Sequence, residues 1–362
     1  MTDLLYSETE DDLRAAVRSL LTDRAGPSVL LDRIETGDPY VPGLWKSLAG
    51  EIGAAGLLVP EKLGGQGASH REAAVVLEEL GRAVTPAPYL TSAVVATETL
   101  LALDTESAPV AELLTGLASG RRVAVLALPL STAPDAEPTA TGTGTGTVSG
   151  VADAAVADVL LVPRADGLHA VEADAAGVEP QTPLDLTRPL ARVTTAGAAG
   201  VRLADAETSA AAVRRGLLAG AGLLASEQLG IAEWCLEETV RHTRTRYQFN
   251  RPVGSFQALK HRMAQLWLEV VNARAAARAA ADALATGSPD APLTVAVAQA
   301  YCAKVAVHAA EECVQLHGGT GMTWEHPAHL ALKRAKSDQI ALGSTGRHQD
   351  TIAALAGLPA PA

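Results

Sequence analysis

The sequence predicts a mainly α-helical α+β chain: an N-terminal helical domain over residues 1–120, a small central β domain over 121–205 and a C-terminal helical bundle over 206–362. Three observations lead there. Apolar groups recur at helical spacing through the first 120 residues. Short apolar runs broken by Pro, Gly and Thr follow, up to about residue 205. Long alanine-rich helical segments then return to the end of the chain. With 362 residues, 48% of them hydrophobic, the chain can bury a sizeable core.

In the first zone Ser7 is an N-cap for the first helix, Trp45 and Leu48 pack the third, and residues 71–80 carry apolar groups at helical spacing. The connector at 59–67, VPEKLGGQG, is glycine-rich. It neither follows a strand nor carries a P-loop lysine, so it reads as a shaped loop rather than a phosphate cradle. In the second zone, residues 123–128 and 156–162 read as strands, and the low-complexity run TATGTGTGT at 139–147 as a hairpin or loop. No lysine lies between residues 63 and 259, so no amine of the β domain can hold a phosphate.

In the third zone residues 217–248 have helical composition, which places Arg246 and Gln248 in a last helical turn. A second helix is expected from about Ser255. Residues 295–316 are apolar nearly all round, the pattern of a helix inside a tight bundle, and the expectation is that this surface also packs against a second protomer.

A net charge of −12 and a pI near 5.2 argue against nucleic acid or an anionic membrane as partner, because both need a basic face. Cys235, Cys302 and Cys313 sit in apolar helical stretches without metal or redox spacing and read as reduced core residues, which points to the cytosol. The N-terminus lacks the basic and apolar regions of a signal peptide, and no uninterrupted apolar stretch reaches 18 residues, so no membrane span is expected.

Two constellations break the Ala/Leu/Val background. The chain has two phenylalanines, and both fall in RYQFNRPVGSFQALKH at 246–261, beside Arg246, Arg251, Gln248 and Gln257. Asn250 tolerates a left-handed conformation and Pro252 cannot continue a helix, so the chain reverses there and shows arginine, amide and aromatic groups at a helix start, a place that suits a phosphate. A capped turn with solvated arginines is the other reading. The second constellation is QLHGGTGMTWEHP at 315–327, where paired glycines form a tight helix end and allow close approach of a backbone or ligand. No second His, Cys or Asp stands at metal spacing from His317, so it reads as a structural histidine and no metal is expected. Glu325 and His326 form an acid/base pair by composition only.

With these motifs in place, the chain resembles the acyl-CoA dehydrogenase family over its whole length. The hairpin at 246–261 and QLHGGTG at 315–321 match two motifs of the family, and GLLVPEKLGG at 56–65 matches its N-terminal connector. The resemblance implies a helical domain, a small β domain and a four-helix bundle. It also implies FAD as cofactor, with both C-terminal motifs reaching across a subunit interface to the adenosine diphosphate half of a flavin held mostly by a neighbour. On this basis Arg246 is assigned to the pyrophosphate. Gln248, Phe249 and Gln257 belong to the same hairpin site, Gln315 and Gly319 lie near the adenine, and Ser344 is a further cofactor contact.

The departures from the family pattern are informative. The family abstracts the α-proton of an acyl-CoA with a glutamate at a position that is Leu342 here. The other place where members keep that glutamate, just before an arginine at the start of the first bundle helix, reads Gly220-Ala221. Neither can take a proton. The β-domain segment that carries a lysine in typical members reads TVSGVAD at 147–153, and the acidic loop is reduced to PLSTAP at 129–134.

The half that serves a neighbour's flavin is thus retained and the chain's own half is eroded. The sequence reading is an FAD-dependent acyl-CoA dehydrogenase family subunit with no catalytic residue of its own, paired with a second acyl-CoA dehydrogenase-like chain that carries the glutamate. Acyl-CoA is the expected substrate and an electron-transfer flavoprotein the expected acceptor. Two rivals stand beside it: a self-sufficient homo-oligomer using Asp338, Glu227 or His348 as base, and a flavin-free scaffold.

Overall fold

The computed structural model of the protein describes residues 4–136 and 146–358, so most of the threonine–glycine run at 139–147 lies outside the described residues. The first zone holds α1 (Glu8–Arg24), α2 (Pro27–Glu35), the short α3 (Leu44–Lys46), α4 (His70–Ala83), α5 (Thr97–Leu101) and α6 (Ala108–Ala118). Ser7 caps α1 as expected, in a reciprocal box with Glu10. Leu48 is buried, and Trp45 Nε1 donates to the Gly120 carbonyl at 3.2 Å. The connector at 59–67 is a shaped loop. A β-carbon at Gly65 would fall 1.9 Å from the Val59 oxygen, so the loop closes on its own backbone.

The β zone forms two small sheets. One has the order β1 (Ala124–Leu126), β3 (Val159–Arg164), β4 (Gly167–Glu172), β7 (Val201–Ala204), with β1 parallel to β3. The other has β2 (Thr147–Ala152), β6 (Leu190–Thr194) and β5 (Gly177–Gln181), with Val125, Leu160, Val171, Val151 and Val193 in one apolar cluster. A π-helical segment, Tyr89–Ala96, is buried throughout and lies between β1 and the first bundle helix.

The bundle is built from α7 (Ala206–Thr245), α8 (Gln257–Ala285) and α9 (Ala291–His317), completed by α10 (Ala328–Asp338) and α11 (Thr345–Leu355), both packed on α9. Asp205 caps α7, which therefore starts eleven residues before the expected 217. α4 crosses α7 in backbone contact, since a β-carbon at Gly230 would sit 1.9 Å from the Glu78 oxygen. By length and composition α9 could cross a bilayer, but its apolar surface faces neighbouring helices.

Three expectations are corrected. Gln248 is not in the last turn of α7. The helix ends at Thr245, Arg246 turns extended, and Gln248 lies in β8 (Tyr247–Gln248), which pairs with β9 (Arg251–Pro252) through left-handed Phe249 and Asn250. Ser255 is not the N-cap of α8. It lies in a 3-10 turn, and Phe256 occupies the cap position because its ring is held edge-on to Phe249 and beneath Arg251. The α9 surface around Ala306 is not free for a second protomer, because Ala306 is fully buried within its own chain.

Candidate functional site

α7 determines where the candidate residues fall. Gly220 lies fourteen residues after its first residue and His242 three before its last, 22 residues apart, so at 1.5 Å per residue the two regions are separated by about 33 Å along the axis.

At the far end, β8–β9 projects from the bundle. Arg246, Gln248, Phe249, Arg251 and Gln257 are all exposed, and Arg246 has no ion pair among the described residues. Arg251 stacks on Phe256 at 3.8 Å. The turn after α9 is brought to the same end, because His317 stacks on His242 with ring centroids 4.2 Å apart. Gln315 and Gly319 are exposed there, and a β-carbon at Gly319 would meet nothing within 4 Å. An uncompensated arginine, amides and open backbone suit a polar ligand with phosphates.

His317 is a buried histidine with a bonded Nδ1, as read from sequence, but it is not isolated. Glu238 and His326 lie close by, and sequence spacing gave no sign of this because the three come from different elements. Burial works against protonation of His317, yet Cys313 and Glu238 outweigh it and hold its pKa above the ordinary value. Glu325 is exposed while His326 turns inward, so those neighbours diverge and make no acid/base pair.

At the near end, the two positions expected for a base meet each other. A β-carbon at Gly220 would lie 2.5 Å from Val95 Cγ2 and 3.0 Å from Leu342 Cδ1. The cavity beside them, lined by Leu90, Val95, Leu128, Leu217 and Leu342, measures about 30 Å³. Small-molecule pockets run to roughly 300–1,000 Å³, so the space holds no acyl chain or ring. Leu342 has φ +53° and is held there by two bonds: its N–H donates to the Leu130 carbonyl at 2.7 Å, and His348 Nε2 donates to its carbonyl at 3.1 Å. The Leu130 N–H in turn donates to Gly150 at 2.8 Å, so the loop at 129–134 is tied down on both sides. Ser344 belongs here, as N-cap of α11, and not with the hairpin residues.

The alternative bases differ in access. Glu227 and Asp338 are locked in a buried network that the sequence did not reveal. Arg334 reaches Asp185 at 2.5 Å, Glu227 at 2.6 Å and the Thr187 carbonyl at 2.7 Å, while Arg188 bonds Glu227 and reaches Asp338 at 3.2 Å. Burial and the neighbouring Glu227 push the Asp338 pKa up. For Glu227 the opposing pull of burial is outweighed by Arg188 and Arg334, which hold it low. Only His348 borders open space, a cavity of about 290 Å³ shared with Arg214, Arg215, Arg347 and Asp135, and burial lowers its pKa.

With this geometry in hand, the comparisons are specific. The profile of the acyl-CoA dehydrogenase N-terminal domain matches residues 7–121, and that of the C-terminal domain matches residues 210–356. The chain is 36% identical over 338 residues to acyl-CoA dehydrogenase IpdE2 of Mycobacterium tuberculosis, covering 93% of this chain and 94% of that protein. It is similar to a chain of the ChsE4-ChsE5 complex from Mycobacterium tuberculosis, with a TM-score of 0.85 and 27% identity over 99% of this chain and 100% of that one. It is also similar to a chain of the Tcur3481-Tcur3483 steroid ACAD, with a TM-score of 0.84 and 26% identity over 97% and 98%.

Proposed function

This chain belongs to the acyl-CoA dehydrogenase family, and from that premise we propose that it is the subunit that completes the FAD site of a partner chain carrying the catalytic glutamate. One observation supports this most directly. Gly220 and Leu342 close on each other and on Val95 beside a cavity of only about 30 Å³, while Arg246, Phe249, Gln257, Gln315 and Gly319 stand open about 33 Å away. A chain serving its own flavin would need room and a carboxylate at the first place.

The residues at the hairpin end fit the phosphate and adenosine portion of FAD. Arg246 would pair with the pyrophosphate, Gln248 and Gln257 would offer amides, and the open backbone at Gly319 would admit the adenine. The cofactor supplies hydride acceptance from the β-carbon of an acyl-CoA. This chain contributes binding and orientation, and the partner's carboxylate takes the α-proton. Because structural relatives include heteromeric assemblies, one described as a steroid ACAD, we place the substrate among bulky acyl-CoA thioesters such as steroid side chains. Electron-transfer flavoprotein is the proposed acceptor and the cytosol the proposed compartment.

His348 beside the 290 Å³ cavity favours a second reading, a homo-oligomer using that imidazole as base. Visible spectra and turnover of the chain alone and co-expressed with a partner separate the two. The proposal expects flavin and activity only in the co-expressed complex. A yellow, active homo-oligomer would overturn it.

A further inference from the structure

Behind the cofactor turn, three elements bring Glu238 of α7, His317 at the end of α9 and His326 before α10 to one point. His317 Nε2 lies 3.5 Å from Glu238 Oε1 and His326 Nε2 lies 4.0 Å from the same oxygen, with one ligand atom from each residue inside a 4.8 Å group. The His317 side chain is 1% exposed and its Nε2 has no hydrogen-bond partner, although a buried polar atom normally finds one. Its ring is oriented from the other side: Nδ1 donates to the Cys313 carbonyl at 2.7 Å, which leaves Nε2 facing Glu238. That is the arrangement of metal-binding histidines, whose second ring nitrogen is held by a carbonyl or carboxylate.

We infer that Glu238, His317 and His326 form a binding site for a divalent transition-metal cation of the zinc type, bracing the turn at 315–321 against α7. Two imidazoles and one carboxylate suit zinc, and a water completes four ligands. Metal–ligand bonds of about 2.0–2.2 Å in a tetrahedron put ligand atoms roughly 3.4 Å apart, so atoms that now lie within 4.8 Å of one another need to draw in by about 1.4 Å at most.

Two existing contacts change. Glu238 is paired with Arg241, whose side chain is 68% exposed, and that pair exchanges readily with solvent. The Ala328 N–H donates to His326 Nδ1 at 3.2 Å, which keeps the ring proton on Nε2. On metal binding that proton moves to Nδ1 and the Ala328 bond is given up. The inference does not depend on the partner-subunit reading.

The test uses the full chain, stripped with chelator and titrated at pH 7.5 with Co²⁺ followed by its visible bands, and with Zn²⁺ against a chromophoric competitor. One equivalent per chain is expected, with four-coordinate Co²⁺ intensity. His317→Gln and His326→Gln should each weaken binding at least about 10-fold, since even outer partners of metal ligands contribute that much, while exposed Glu325→Gln leaves it unchanged. On the unmodified chain, Zn²⁺ should raise the melting temperature with saturation at one equivalent. Binding of less than about a tenth of an equivalent, an affinity in either histidine variant equal to that of the unmodified chain, or an unchanged melting temperature would overturn the site.

Discussion

Leu342 and Gly220, 122 positions apart in sequence, meet inside the protein so closely that a β-carbon on Gly220 would stand 3.0 Å from Leu342 Cδ1. Both places where a base would be sought are therefore one place, and it is filled with hydrocarbon. Leu342→Glu should not confer dehydrogenase activity. A buried carboxylate with no partner should instead cost several kcal/mol. Turnover with an artificial acceptor and the urea midpoint of the variant check this, and measurable turnover would sink the idea that the space is closed.

Arg246→Ala should lower the FAD content of the assembled oligomer while leaving the chain folded, because the side chain is exposed and makes no ion pair among the described residues. A charge-assisted contact contributes about 1.5–3 kcal/mol, roughly 10- to 150-fold in affinity. Flavin absorbance after dilution and gel filtration reads the loss.

Subunit contact should be probed on exposed apolar side chains. Trp267 on α8 is 56% exposed, whereas Ala306 is 0% exposed. Trp267→Glu should dissociate the oligomer with each chain still folded, and Ala306→Glu should unfold the chain itself. Light scattering with circular dichroism distinguishes the two outcomes.

Arg334→Ala should destabilise the chain by about 3–5 kcal/mol, because it leaves Asp185 buried without its ion-pair partner and Glu227 with Arg188 alone. Chemical denaturation at pH 7 measures it. A change below about 1 kcal/mol would show that water reaches the network.

Glu78 provides a pH signature. Burial lifts its pKa to about 7 against the pull of Arg14, with the Tyr6 hydroxyl donating to the same carboxyl. The unfolded chain ionises this group first, at about 4.5, so its contribution is complete below that pH and is lost as pH rises through 7. The change is about 3 kcal/mol. Glu78→Gln should flatten that slope relative to the unmodified chain in denaturation midpoints taken across pH 4.5–7.5.

Much of this was legible in sequence because it is local. Ser7 with Glu10, the helical period through α4, Pro252 after Asn250 and the glycines after α9 each specify a neighbouring backbone geometry. The exact end of α7 was not, since strand pairing between Gln248 and Arg251 won over helical propensity. Phe256 taking the cap position from Ser255 is likewise a tertiary effect of one ring on another. Contacts between distant stretches left only faint marks. Arg334 and Asp338, one turn apart in α10, and Glu227 among alanines and leucines were such marks, but nothing in the sequence paired them with Arg188.

The buried charges at Asp185, Arg188, Glu227, Arg334 and Asp338 come from a loop of the β zone, from α7 and from α10. The two guanidiniums meet their carboxylates only when all three segments have docked. A half-assembled chain would strand ions in a low-dielectric interior, a state too high in free energy to be populated. The composition change near residue 205 therefore marks a difference in local architecture and not a boundary between units that melt separately. Calorimetry should record a single endotherm, and amide protons of β6 and α10 should exchange with solvent at the same global rate.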